Sequence, residues 1–96
     1  MFNKVTLIGK LSSTPYTCDI SDGIVYKLNI ITDDDQHHSV LFYETSYANI
    51  IDNLILNELV YIEGRIRYTK WMDINNVSHT YTDIIANSIR SLSKIR

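Results

Sequence analysis

Five separate segments of this chain read as strands, three of them with apolar residues at every second position, and only one segment carries helical spacing. That ordering of periods constrains the fold more than any other feature. Residues 2–11, FNKVTLIGKL, place Val5, Leu7, Gly9 and Leu11 on one side and Lys4, Thr6, Ile8 and Lys10 on the other. This is a half-buried strand, and Gly9 within it predicts a bulge or bend. Residues 12–23, with Ser12, Ser13, Pro15, Ser21, Asp22 and Gly23, read as a connection with extended pieces. Ile24, Tyr26, Leu28 and Ile30 share a face of a second strand over 24–32, Asp33–Asp35 make a polar turn, and HHSVLFYE (37–44) is a third strand. The period changes at residue 45. Tyr47, Ile50, Ile51, Leu54 and Ile55 follow i, i+3, i+4, i+7, i+8, which predicts an amphipathic helix of about three turns with Thr45 or Ser46 as its N-cap. Residues 59–68 return to alternation as the fourth strand, and residues 79–86, HTYTDIIA, supply the fifth.

Three strands, a helix and two strands describe an all-β chain with one helix. The predicted architecture is a five-stranded OB-fold barrel with its helix between strands three and four. The 96 residues make one domain, 1–96, with no room for a second core. No apolar run approaches a membrane span and the first residues do not read as a signal peptide. One cysteine, Cys18, excludes an intrachain disulfide and a zinc site built from several thiolates. The 15 Ile and 8 Asn against 2 Ala suggest an AT-rich coding sequence, as in a reduced bacterial genome, a plasmid, a phage or an organelle.

The formal charge of −2 argues against a nucleic-acid partner until its distribution is read. Residues 1–18 carry +2, 19–35 carry −4, 36–63 carry −4 and 64–96 carry +4, so a basic stripe can exist on an acidic protein. Within the last segment, Val60, Ile62, Gly64 and Ile66 share the core side of a strand. Tyr61, Glu63, Arg65, Arg67, Thr69 and Trp71 occupy the other side, if the alternation continues past Tyr68. Guanidiniums between aromatic rings suit single-stranded nucleic acid, where cations track phosphates and splayed bases stack on rings. A polar solvent face of an ordinary strand would look similar. Tyr16, Tyr26, Tyr43, Tyr68 and Tyr81 are equally suited to core, interface or stacking roles. Asp33–Asp35 with His37 and His38 offer metal-ligating types, but adjacent histidines on a strand point to opposite faces. Cys18 has no neighbouring histidine, and no phosphate-cradling glycine loop or nucleophile elbow exists. The expectation is a binding protein without catalysis, metal or cofactor.

Four stretches carry a family resemblance: Asn3-Lys4-Val5-x-Leu7-Ile8-Gly9-x-Leu11, Val40-Leu41-Phe42, Val60-Tyr61-Ile62-Glu63-Gly64-Arg65-Ile66-Arg67 and Lys70-Trp71-x-Asp73. In this order and spacing the chain resembles bacterial and mitochondrial single-stranded DNA-binding proteins over roughly residues 3–92. The run from Val60 to Trp71 is its most specific part. The resemblance implies an OB-fold, a homotetramer and sequence-independent binding and protection of single-stranded DNA during replication, recombination or repair. It also implies base stacking on Phe42 and Trp71, and phosphate contacts from Lys4, Arg67 and Lys70. The residues' own pattern adds Arg65 as a phosphate contact and Tyr61 as a secondary candidate. The family's long loop between its second and third strands shrinks here to about Asp33–Gln36, with Gln36 where a stacking tryptophan would stand. Three carboxylates then oppose the DNA path. The acidic tail by which bacterial members recruit replication and repair partners has no counterpart in Lys94-Ile95-Arg96. The expected partners are single-stranded DNA and further copies of the chain, a tetramer or a dimer, with no membrane. The expected compartment is the nucleoid-bearing cytoplasm or an organellar matrix. The alternative reading is a primosome accessory adaptor, an OB-fold dimer working mainly through protein contacts with weak binding to single strands. A purely structural subunit, whose Tyr/Arg face is a protein interface, lies outside both.

Overall fold

The computed structural model describes residues 2–21, 23–43 and 45–92. Six strands run β1 (Val5–Leu11), β2 (Tyr16–Ile20), β3 (Gly23–Ile31), β4 (His37–Phe42), β5 (Leu59–Met72) and β6 (Ser78–Ser91). A 3-10 turn (Thr45–Tyr47) and a short helix α1 (Ala48–Asp52) lie between β4 and β5. The basic end at residues 94–96 lies outside the described residues.

One sheet in the order β1-β5-β6-β4-β3-β2 contains all six strands, and β1 pairs again with β3. That second pairing, Lys10↔Ile31 and Leu11↔Ile30, closes β1, β5, β6, β4 and β3 into a ring. The five strands of the ring are the five read from the sequence, and β4 joins β6 as a parallel pair. Closure removes sheet edges, which explains how so short a chain buries a continuous core. Leu11, Leu28, Ile30, Val40, Phe42 and Ile62 are among its fully enclosed side chains, and α1 contributes Ile51.

A sixth strand supplies the extended piece expected within the 12–23 connection. Tyr16–Ile20 pairs in full with residues 23–27 of β3, from Tyr16↔Lys27 to Ile20↔Gly23. It sits outside the ring and is mostly exposed. Gly9 makes no bulge. A Cβ there would stand 2.5 Å from the Ile31 carbonyl oxygen and 2.7 Å from Ile30 Cγ2, so glycine permits the close approach that lets β1 turn from β5 to β3. The ladder irregularity instead falls between Glu63 and Gly64, where β6 carries the extra residue, Asn87.

The helix is much shorter than the three turns predicted, and its N-cap position is Tyr47 rather than Thr45 or Ser46. After Asp52 the backbone bonds tighten, with the Asn53 and Leu54 amides donating to the Ile50 and Ile51 carbonyls. Asn57 then adopts φ 68°, its amide donates to the Leu11 carbonyl at 2.8 Å, and the Leu11 amide donates to the Glu58 carbonyl at 3.0 Å. The buried Glu58 carboxylate accepts from the Ile55 amide at 2.9 Å and from the Ser91 hydroxyl. These bonds convert the last predicted turn of helix into a loop that delivers the chain to β5 beside β1.

Beyond Gly64, β5 has no further partner in β1, and from Arg67↔Asp83 onward β5 and β6 pair only with each other, as far as Met72↔Ser78. The hairpin therefore extends past the ring as a two-stranded arm. Its length contributes to an elongated molecule of 53 × 32 × 30 Å.

Candidate nucleic-acid interface

Of the residues singled out by sequence, the arm carries Arg67, Lys70 and Trp71, with Arg65 at its base. Alternation along β5 is unbroken, so Arg65, Arg67, Thr69 and Trp71 project to one side. Directly opposed residues of antiparallel strands share a face, which places Ile85, Asp83, Tyr81 and His79 of β6 beside them in that order. Trp71, Tyr68 and Tyr81 are each about half or more exposed. Lys70 is exposed too, but it falls with Tyr68 and Met72 on the opposite side of the arm from Trp71.

Trp71 is backed by a small constructed cluster. The His79 ring stacks on it with centroids 4.4 Å apart and planes inclined by 19°, covering one indole face. His79 Nε2 lies 2.9 Å from Asp73 Oδ2, and the other Asp73 oxygen accepts from the Asn75 and Val77 amides at 2.8 and 3.0 Å. The His79 bond, followed by the amides, holds the Asp73 carboxyl below its ordinary value. Asp73 thus closes the hairpin turn and fixes the imidazole, and the imidazole sets the tilt of the only tryptophan. Pattern reading did not reach His79, although a turn centred near residue 75 places residues 71 and 79 opposite each other.

Phe42 requires a correction. It is fully buried, packed against Tyr47 with centroids 5.9 Å apart, and offers no face to a base. The next residue, Tyr43, points outward and is 41% exposed. Arg67 Nη1 donates to the Tyr43 hydroxyl at 3.0 Å while its guanidinium carbon lies 5.7 Å from the Tyr43 ring centroid. Arg67 Nη2 reaches Asp83 Oδ2 at 3.3 Å. The Tyr43 hydroxyl, and after it the Asp83 carboxylate, raise the guanidinium above its ordinary value against the effect of burial.

The remaining candidates spread along the same sheet. Lys4 is paired with Glu63 at 3.2 Å. It shares with Arg65 and Asn87 a polar cavity of about 300 Å³ at the ladder irregularity. Beside it the Asn3 side chain both donates to the Ile66 carbonyl at 2.8 Å and accepts from the Ile66 amide at 3.0 Å, a strand-like clamp on β5 between the two arginines. Tyr61 is half-buried opposite Ile8 and Arg90, ten residues and about 33 Å along the strand from Trp71. Tyr26 is partly buried against the core.

The acidic turn occupies the other end of β4 from Tyr43. Asp35 takes φ 59°, and Thr32 donates its hydroxyl to Asp34, which with the turn amides lowers that carboxyl. Asp33 and Asp35 line a cavity with Gly9, Lys10 and Leu59, and Asp34 lines another with Thr6, Ile8 and His38. The turn therefore lies beside β1 rather than beside the Arg67–Tyr43 pair. Among the described residues no group of three or more His, Cys, Asp and Glu is placed to hold a metal ion, and Cys18 is free and half-buried.

The family model described as single-strand binding protein family matches residues 2–92. A solved structure of the mitochondrial single-stranded DNA binding protein Rim1 from S. cerevisiae is similar with a TM-score of 0.85 at 15% identity, covering 97% of each chain. The Plasmodium falciparum SSB in complex with ssDNA is similar with a TM-score of 0.80 at 21% identity, covering 96% of each chain.

Proposed function

The chain belongs to the single-strand binding protein family, and from that premise we propose that it binds single-stranded DNA without sequence preference, in replication, recombination or repair, and does no chemistry on it. The observation that carries this reading is the half-exposed Trp71 on a free arm, backed by His79 and in line with Arg65 and Arg67. Trp71 and Tyr43 offer rings to bases, and Tyr61 is a more distant third. Arg65 and Lys70 supply cations that are in no ion pair among the described residues, while Lys4 must exchange Glu63 for a phosphate.

Oligo-dT titrated into the protein at two salt concentrations, with Trp71 emission as the signal, tests this directly. Trp71 is the sole tryptophan, so its quenching reports the candidate site alone. Each phosphate contact contributes about −0.7 to the log–log salt slope for single strands, so two to four contacts give about −1.4 to −2.8 per subunit. Unquenched emission and no binding at low salt would reject the reading.

A second reading, a protein adaptor at replication forks, is favoured by one observation: two of the four candidate cations already have carboxylate partners. Saturable binding with a slope shallower than one contact supports the adaptor instead.

The assembly we propose is a homotetramer. Ile8, Tyr16, Ile24 and Tyr81 are all between about four- and six-tenths exposed, more apolar surface than a small monomer needs to show. Light scattering is expected to return four times the 11.1 kDa protomer, and a mass at the protomer value at micromolar concentration would reject assembly.

A further inference from the structure

Arg67 differs from the other cations of the interface in engaging a buried carboxylate and a ring hydroxyl at once. Its guanidinium bridges a buried carboxylate, Asp83 at 8% exposure, and the hydroxyl of an outward-facing ring, Tyr43. Its Nε is buried with no hydrogen-bond partner among the described residues, so the side chain runs under cover before it emerges. Asp83 stands directly across the ladder from it, and the charge of one offsets the charge of the other. Tyr43 follows the last residue of β4. The guanidinium holds its ring, with a bond at the ring's hydroxyl end and its carbon near the ring.

From this geometry we infer that Arg67 is a positioning residue, anchored by Asp83, which holds the Tyr43 ring ready to stack on a base, and that it is not one of the phosphate contacts. The inference rests on the proposed binding of single-stranded DNA. A guanidinium neutralised by a buried carboxylate has little net charge to exchange for a counterion, so it contributes to affinity through the ring it orients. Holding the ring in place before DNA arrives removes an ordering cost that a free tyrosine would meet on binding.

The two roles predict different salt behaviour and different coupling. A phosphate contact contributes to the salt slope, whereas a positioning residue lowers affinity at every salt concentration and does so only while its ring is present. The experiment measures the affinity of a fluorescein-labelled dT oligonucleotide by anisotropy at three salt concentrations. The proteins are the wild type, Arg67→Met, Tyr43→Ala, the double variant and Arg67→Lys, with thermal melts establishing that each is folded.

Arg67→Met and Tyr43→Ala are each expected to weaken binding about fivefold or more, within the range for one stacked base. The double variant is expected to bind as Tyr43→Ala does, and the slope of Arg67→Met to match the wild type. Should Arg67→Met fail to fold with Asp83 left unpaired, Arg67→Lys decides. Lysine keeps a cation for a phosphate but cannot bridge Asp83 and Tyr43 together, so weakened binding at an unchanged slope is expected. A slope shallower by about 0.7 in Arg67→Met, additive losses in the double variant, or wild-type affinity in Arg67→Lys overturns the inference and makes Arg67 a phosphate contact or a bystander. A wild-type protein that does not bind the oligonucleotide overturns the proposed function itself, and this inference with it.

Discussion

Phe42→Ala is expected to cost about 3–5 kcal/mol of folding stability, the usual loss for truncating a buried phenylalanine. The ring is fully enclosed, in register with Tyr26 of β3 and against Tyr47 of the 3-10 turn. No surface loop can collapse into the space, because β4 is bonded on one side to β3 and on the other to β6. Domains of this size hold only about 5–15 kcal/mol in total, so the variant should melt at least about 12 °C lower at equal protomer concentration. DNA affinity of the folded fraction should be nearly unchanged. Intact stability with a loss of DNA affinity would return Phe42 to the stacking role that the family resemblance implies.

The reason Phe42 and Tyr43 exchange roles lies in the packing of β4. Val40, Leu41 and Phe42 are all buried, Leu41 on the outer side between Lys27 and Ile85. A strand covered on both sides has no apolar alternation, so its sequence does not say which residue turns outward. β5 is the opposite case. Val60, Ile62 and Gly64 face a closed core while Arg65 faces solvent, and that contrast made the two faces of β5 legible from residue types alone.

The helix and β2 escape pattern reading for complementary reasons. Tyr47 to Ile55 continue a helical apolar spacing past Asp52, but the spacing carries no information about the chain's need to return to β1. Long-range bonds from Leu11 and the buried Glu58 settle that need in favour of a loop. Tyr16–Ile20 lies outside the ring and buries almost nothing, so it leaves no periodic trace and exists only because β3 offers it a free edge. Ring closure itself was legible as an order of elements. The device that permits it, Gly9 against the Ile31 carbonyl, was visible only as a glycine in a strand. For the helix and for Gly9 the local pattern identified a tendency, and pairings distant in sequence decided the outcome.

Trp71→Ala is expected to leave the fold and the assembly intact while weakening binding to oligo-dT about five- to a hundredfold. That range corresponds to ~1–3 kcal/mol for a base stacked on an aromatic ring. Trp71 is 49% exposed on a part of the hairpin that pairs with no other strand, so the truncation opens no cavity in the core. Within the protein the substitution removes the stack with His79 and leaves the imidazole still bonded to Asp73. With His79 covering one indole face, a base can take only the other. One ring therefore serves one base, which holds the loss within the range for a single stack. Trp71→Phe, which keeps a ring for both His79 and a base, should recover much of the affinity. Binding of the alanine variant is followed by anisotropy of a labelled oligonucleotide, because the intrinsic signal disappears with the residue. A fall in melting temperature comparable to that of Phe42→Ala, with unchanged affinity in the folded fraction, would make Trp71 part of the scaffold and remove the arm from the DNA path.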